Sequence, residues 1–192
     1  MSFFNKKWIW VPIGVIMLGL AGGMVTSAQT ITPSPSDTVK PTWEVHWYVM
    51  KEAAVYGDKV GLETFPFNFN YDWGKGIVYK GYKDHIGFKA YCELYIPEDG
   101  EFHFNIDTKN YDGSNLFIDG EEFCEPGYFS LSGMIGYEFL SRGLHKLELH
   151  YYDWEDEARI SFKFSVPNDT LFWTTMRVWQ DLLSEIESLK TS

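Results

Sequence analysis

Apolar and polar residues alternate with a period of two along much of this chain. The clearest case is 101–107, where Phe102, Phe104 and Ile106 fall on one face. This is the period of a β-strand that buries one side. The same pattern marks further candidate strands at 43–49, 86–96, 144–152 and 158–166. Short strands separated by turn residues, without interleaved helices, predict an all-β fold, an antiparallel β-sandwich or closed barrel.

The stretch 110–120 contains two Asp-Gly pairs, Asp112-Gly113 and Asp119-Gly120, on either side of an apolar run at 116–118. Glycine accepts the positive φ that tight hairpin turns need. The two pairs therefore predict a short strand between two chain reversals. By contrast, residues 51–79 show no clear period and contain Pro66, Gly74 and Gly76 among aromatic residues. We expect that segment to be irregular.

The C-terminal residues have a helical pattern. Asn168 to Thr170 supply N-cap residues, and apolar side chains then recur with 4-3-4 spacing up to Ile186. This predicts an amphipathic helix at 168–192. Its apolar stripe is wide enough to pack on the domain's own sheet. The alternative is assembly through residues 170–190 with a partner helix, a second copy or a membrane surface.

The N-terminal residues 1–28 contain Lys6 and Lys7, followed by an uncharged apolar run at 8–25. Such a run is just long enough to span a bilayer, and the preceding lysines predict an N-in, C-out orientation. We expect a single-pass transmembrane anchor in the cell membrane. A cleaved signal peptide, which would make the protein secreted, is the alternative because Thr26 to Ala28 resembles a cleavage site.

Residues 29–41 are rich in Pro, Ser and Thr, and we interpret them as an extended spacer before a β domain at 42–167. The chain has a net charge of −11. This acidic balance argues against a nucleic-acid partner, which would require a basic surface. Cys92 and Cys124 are too few for a four-ligand zinc site, and in an exported domain they could form one disulfide.

The sequence lacks the motifs of common enzyme classes. It contains no Gly-x-Ser-x-Gly elbow, phosphate-binding loop or HExxH. His145 and His150 lie five residues apart, so on a strand they face opposite sides. We therefore expect a binding protein without catalytic residues. At a predicted hairpin tip, 153–157, Trp154 could offer an aromatic platform to a sugar.

Four segments resemble, in order, motifs of the protective-antigen 14-kDa domain family, a β-sandwich or barrel module of surface and secreted proteins. They are Asp84 to Ala90, Ile96 to Phe104, Tyr111 to Gly120 and Gly143 to Tyr152. The third is similar to the family's Asp-Asp-Gly-Ser hallmark, with Tyr111 in place of the first aspartate. The resemblance covers about 43–166.

The resemblance implies carbohydrate recognition, since lectin members hold a calcium ion and a sugar with the hallmark aspartates. For this chain, the resemblance implies that Asp112 and Asn110 bind the ligand. We add Trp154 to these ligand-binding residues because of its place in the predicted hairpin tip. The resemblance also implies a calcium site that uses Asp112 and Asp107. Because Tyr111 cannot supply a carboxylate, we expect no cofactor, with calcium as the alternative. The prediction is a membrane-tethered module outside the cytoplasm that binds a glycan or a cell-surface protein. The alternative is a structural component of a surface assembly that binds no sugar.

Overall fold

A computed structural model describes residues 40–109, 112–123, 133–166 and 168–190. These residues form ten strands and one helix. They are β1 (Thr42–Glu52), β2 (Val55–Pro66), β3 (Phe69–Gly74), β4 (Ile86–Ile96), β5 (Gly100–Thr108), β6 (Gly113–Ile118), β7 (Glu121–Glu122), β8 (Met134–Leu140), β9 (Gly143–Asp153), β10 (Ala158–Ser165) and α1 (Asp169–Lys190).

The strands form two antiparallel sheets. The first has six strands in the order β2-β1-β4-β9-β6-β7, and the second has four in the order β3-β10-β5-β8. Long in-register pairings hold the first sheet together, such as β4 with β9 from Ile86 opposite Asp153 to Ile96 opposite Gly143. The predicted all-β antiparallel sandwich is confirmed.

An aromatic core lies between the sheets. Every second residue of the central strands is buried, as the period-two pattern predicts. Trp43 and Trp47 of β1 have no exposed surface. The Trp43 indole packs edge-on against Phe162 with ring centroids 4.9 Å apart, and its Nε1 donates a hydrogen bond to the Phe67 carbonyl over 2.8 Å. The large rings thus fill the interior while their polar atoms find partners.

Two expectations about local structure were wrong. Residues 51–79 are not irregular, because they contain β2 and β3. β2 is an edge strand with mostly exposed or half-buried side chains, so no buried face imposes an alternation on its sequence. Of the two Asp-Gly pairs, only Asp119-Gly120 is a tight turn, with φ of 54° and 87° between β6 and β7. Gly113 already belongs to β6.

The helix α1 begins as the sequence indicates, since the Asn168 Oδ1 accepts a hydrogen bond from the Leu171 N–H over 3.1 Å. Its first turns bury Phe172, Trp173 and Met176 against the sandwich, and the Trp173 ring lies 5.6 Å from that of Phe67. Beyond Trp179 the described side chains are exposed. The first half of the helix is therefore part of the core, and the second half is exposed on the surface.

The predicted anchor at 1–28, most of the spacer at 29–41, Cys124 and the site residues Asn110 and Tyr111 lie outside the described residues. Among the described residues, no helix has both the length and the apolar character needed to cross a membrane. Cys92 is buried on β4, and burial raises the pKa of its thiol to about 12. Cys92 is a free cysteine in this structure, which does not support the disulfide expected for an exported domain.

Candidate functional site

Two aspartates lie side by side inside one end of the sandwich. Asp112 immediately precedes β6, and Asp153 is the last residue of β9. Gly113 pairs with Tyr152 in the sheet, which brings the two aspartates onto neighbouring positions. Both are 0% exposed. The Tyr151 hydroxyl donates to the Asp112 Oδ2 over 3.0 Å, and the Arg159 N–H donates to the same oxygen over 3.2 Å.

The two carboxyl groups perturb each other's protonation. Burial raises the pKa of Asp112, although hydrogen bonds from Arg159, Asp153 and Tyr151 partly oppose that rise. Burial also raises the pKa of Asp153, and the negative charge of Asp112 raises it further. Asp112 Oδ1 and both Asp153 carboxyl oxygens have no other hydrogen-bond partner. Two adjacent buried carboxyl groups avoid two unpaired charges by holding a proton between them.

The structure places the predicted site residues in different environments. Asp107 lies on the outer face of β5, where its carboxylate forms an ion pair with the Arg159 guanidinium. Trp154 is half-buried, with its ring 4.4 Å from that of His85. Arg159 thus contacts both aspartates: its guanidinium pairs with Asp107, and its backbone N–H donates to the buried Asp112. Asn110 lies outside the described residues.

The described residues do not fit the needs of a calcium ion. They contain no group of three His, Cys, Asp or Glu side chains placed to hold a metal. Calcium takes six to eight oxygen ligands, and Asp112 and Asp153 offer three unpaired carboxyl oxygens in a closed interior. The role of Asp112 and Asp107 as metal ligands stays a prediction.

The outer face of the six-stranded sheet carries a groove of about 1040 Å³. Its floor is a row of side chains in register across three strands, Glu44 of β1, Tyr91 of β4 and Glu148 of β9. Leu62 and Thr64 of β2 line one side, and Asp119, Gly120 and Lys146 line the other. These residues come from five parts of the chain that only the sheet order brings together.

Tyr91 is the exposed aromatic ring of this floor, with 39% of its surface accessible. Burial and the charge of Glu148 raise the pKa of its hydroxyl, so it stays a neutral donor. Glu44 and Glu148 flank it, and each contacts a histidine two positions further along its own strand, His46 and His150. The row therefore combines one apolar ring with two carboxylates held in place.

A lysine fixes the orientation of His46. The Lys59 Nζ lies 3.1 Å from the His46 Nδ1, and an ammonium can only donate. The His46 Nδ1 therefore accepts, which leaves the Nε2–H to donate to the Glu44 Oε1. The ring holds this carboxylate beside Tyr91.

Hydrogen bonds of Asp119 also fix the turn Asp119-Gly120 at one side of the groove. The Asp119 Oδ1 accepts the Lys146 N–H over 2.8 Å, and its Oδ2 lies 2.7 Å from the His145 Nδ1. Burial alone would raise the pKa of Asp119, but these hydrogen bonds and the charge of His145 outweigh it and lower that pKa. His145 is buried and His150 faces outward, as their spacing predicts.

Sequence reasoning missed both Asp153 and the Tyr91 row. Asp153 falls in the hairpin tip predicted at 153–157, yet the structure places it in β9, where it continues the inward phase of Leu147, Leu149 and Tyr151. Strict application of the period would have found it. The Tyr91 row carries no local signal, because Glu44, Tyr91 and Glu148 are far apart in the sequence.

Comparisons with known proteins support the fold. No protein-family model and no curated protein matches this sequence. The chain is similar to the solved structure of an anti-sigma factor domain-containing protein from Clostridium clariflavum, with 14% identity and a TM-score of 0.52, covering 67% of this chain and 43% of that one. A second anti-sigma factor domain-containing protein gives 15% identity and a TM-score of 0.51, covering 66% and 43%. This chain thus spans less than half the length of either protein.

A third structure is the epithelial adhesin 9 A domain from Candida glabrata in complex with Galβ1-3GlcNAc. It matches at 13% identity and a TM-score of 0.43, covering 70% of this chain and 86% of that one. That score is too low to support an inference about ligands. The first two structures establish a shared fold alone, and membership of the protective-antigen 14-kDa domain family stays a prediction from the motifs.

Proposed function

We propose that this chain is a binding module for carbohydrate, and that the ligand lies in the groove on the outer face of the six-stranded sheet. The observation that carries the proposal is the row Glu44, Tyr91 and Glu148 on the floor of a 1040 Å³ groove. Pyranose rings have an apolar face and a rim of hydroxyl groups. An exposed aromatic ring can stack on the face, and carboxylates accept strong hydrogen bonds from the rim.

The negative charge of the groove limits the kinds of carbohydrate that it can bind. Its lining includes four acidic residues, Glu44, Glu93, Asp119 and Glu148, and one basic residue, Lys146. A ligand with carboxylate or sulfate groups would meet like charges, which disfavours binding. The groove therefore suits neutral glycans.

The proposal also includes a location outside the cytoplasm, which rests on the N-terminal sequence pattern. In the proposal, residues 8–25 anchor the chain in the cell membrane and the spacer at 29–41 holds the β domain away from the bilayer. The ligand would then be a glycan of the envelope or of a neighbouring cell. The proposed role is binding and not catalysis.

A glycan array with the full chain, purified in mild detergent, tests the proposal, followed by calorimetric titration of the best neutral oligosaccharide. We expect Tyr91→Ala to weaken binding at least 10-fold. The matched control is Tyr82→Ala, which removes a ring of nearly equal exposure, 38%, outside the groove. The proposal is wrong if no glycan binds, or if Tyr82→Ala weakens binding as much as Tyr91→Ala.

A second candidate function is assembly of a surface complex through α1. The observation behind it is the exposed apolar surface of the second half of the helix, where Leu182, Leu183 and Ile186 are each more than 40% exposed. Large apolar patches of this kind mark interaction sites. Replacing Leu182 and Ile186 by Ser would then shrink a complex isolated from membranes, whereas an unchanged size would exclude this role for α1.

A further inference from the structure

The edge strand β8 carries an exposed apolar row. Ile135, Tyr137 and Phe139 point outward from the four-stranded sheet and are 67%, 71% and 62% exposed. Their in-register neighbours on β5 are the polar residues Asn105, His103 and Glu101. The outer face of this sheet is therefore polar on β5 and apolar on β8. Three large apolar side chains in one row, each more than 60% exposed, indicate an interaction site.

This strand also offers backbone hydrogen bonds. In the described part of the chain, β8 pairs with β5 alone, so one of its edges leaves N–H and C=O groups without strand partners. A long edge with an apolar face is a template for another strand. The backbone edge and the apolar row lie on the same seven residues.

We propose that two copies of this chain pair through β8, antiparallel and about a two-fold axis at Tyr137. The two four-stranded sheets then join into one of eight strands. In this register Tyr137 faces Tyr137 of the second copy, and Ile135 faces Phe139 of the second copy. A two-fold interface needs a self-complementary surface. The row is self-complementary because each of its three apolar side chains faces an apolar side chain of the second copy.

The charged residue of β8 selects this register. Glu138 faces Gly136 of the second copy when the axis passes through Tyr137, so no like charges meet. An axis one residue later would place Glu138 opposite Glu138 of the second copy, which is destabilising. An axis one residue earlier would move Phe139 opposite Gly133 and break the apolar match. The sequence of β8 therefore favours one pairing.

A dimer built on one strand would be weak in dilute solution, since seven residues bury less than a standard interface of about 1,600 Å². Two copies anchored in one membrane would meet at a higher effective concentration. The dimer would present two grooves, but its formation does not depend on what the groove binds.

Disulfide trapping tests both the contact and its register. The full chain is used with Cys124→Ser, and Cys92 is kept because it is buried and burial raises the pKa of its thiol. Directly opposed residues of an antiparallel pair have Cα atoms about 4.5–5.5 Å apart, which suits a disulfide. On mild oxidation Tyr137→Cys should therefore form a covalent dimer.

The flanking positions provide the controls. Ile135→Cys or Phe139→Cys alone should stay monomeric, whereas a mixture of the two variants should cross-link to each other. Leu62→Cys, 59% exposed on the other sheet, measures random collision. If Tyr137→Cys cross-links no faster than Leu62→Cys, the pairing does not occur. Cross-linking of Ile135→Cys with itself, in preference to the mixture, would overturn the register.

Discussion

The carboxyl groups of Asp112 and Asp153 lie against each other inside the sandwich, and neither residue has any exposed surface. Polar groups near them include the Tyr151 hydroxyl and the Arg159 N–H on Asp112, and the side chains of Asp84 and His85 near Asp153. This pair thus connects the segment before β6 with the end of β9, and the Arg159 N–H connects it with the start of β10. Because burial raises the pKa of both carboxyl groups, we expect the stability of this contact to depend on pH.

The first prediction is a loss of stability as pH rises. Both aspartates have a folded pKa above the ordinary value of 3.8, so the folded chain holds more protons than the unfolded chain above that pH. The free energy of unfolding should therefore fall as pH rises from about 4 toward 8, by up to about 1.4 kcal/mol per pH unit for each extra proton. Chemical denaturation at a series of pH values measures this slope.

Substitution at Asp153 isolates the effect. Asp153→Asn keeps the shape and removes the charge, so it should be more stable than the unmodified chain at pH 8 and lose that advantage near pH 4. The control is Glu155→Gln, an exposed carboxyl group two residues away. If Asp153→Asn and Glu155→Gln have the same pH slope, the buried pair does not control stability.

The second prediction concerns calcium. We expect that calcium will not move the melting temperature of the unmodified chain or of Asp112→Asn, because the described residues contain no group of three His, Cys, Asp or Glu side chains placed to hold a metal, and calcium needs six to eight oxygen ligands. A site filled at 100 times its dissociation constant would add about 2.7 kcal/mol, which differential scanning calorimetry detects. A rise in the unmodified chain that Asp112→Asn removes would show that Asp112 is a ligand.

The third prediction concerns the strand that follows Asp112. A Cβ at Gly113 would lie 2.2 Å from the Tyr152 ring, so Gly113→Ala must displace a buried aromatic side chain. We expect a loss of about 1–3 kcal/mol in the free energy of unfolding. Gly100→Ala is the control, since its Cβ would meet Phe102 at an ordinary 3.6 Å. Equal effects at the two positions would contradict the close contact.

The fourth prediction separates the two halves of α1. Trp173 is 2% exposed and packs on Phe67 and Phe164, so Trp173→Ala should cost about 3–5 kcal/mol. Leu183 is 44% exposed, and Leu183→Ala should change stability by about 0.5 kcal/mol or less. Urea denaturation of both variants provides the comparison. A small effect at Trp173 would mean that the helix does not belong to the folded domain.

Several features follow from the sequence by itself. Alternation in 101–107 and 144–152 predicts strands and their buried faces, because one solvent-free face imposes a period of two. Asp119-Gly120 predicts the turn between β6 and β7, because both residues tolerate positive φ. Asn168 and the apolar period after it predict α1. All of these signals act over a few neighbouring residues.

The tertiary structure decided the rest, because the deciding neighbours are far apart in the chain. Asp112-Gly113 and Asp119-Gly120 have the same two residue types, but only the second pair forms a tight turn. At the first pair, the Tyr152 ring packs against Gly113 and the buried Asp153 lies beside Asp112. β2 shows no period because most of its side chains are exposed or half-buried, which follows from its place in the folded domain. Tyr91 becomes the floor of a groove only because β1 and β9 bring Glu44 and Glu148 to its two sides. Sheet order is set by the packing of the whole core, and no local pattern encodes it.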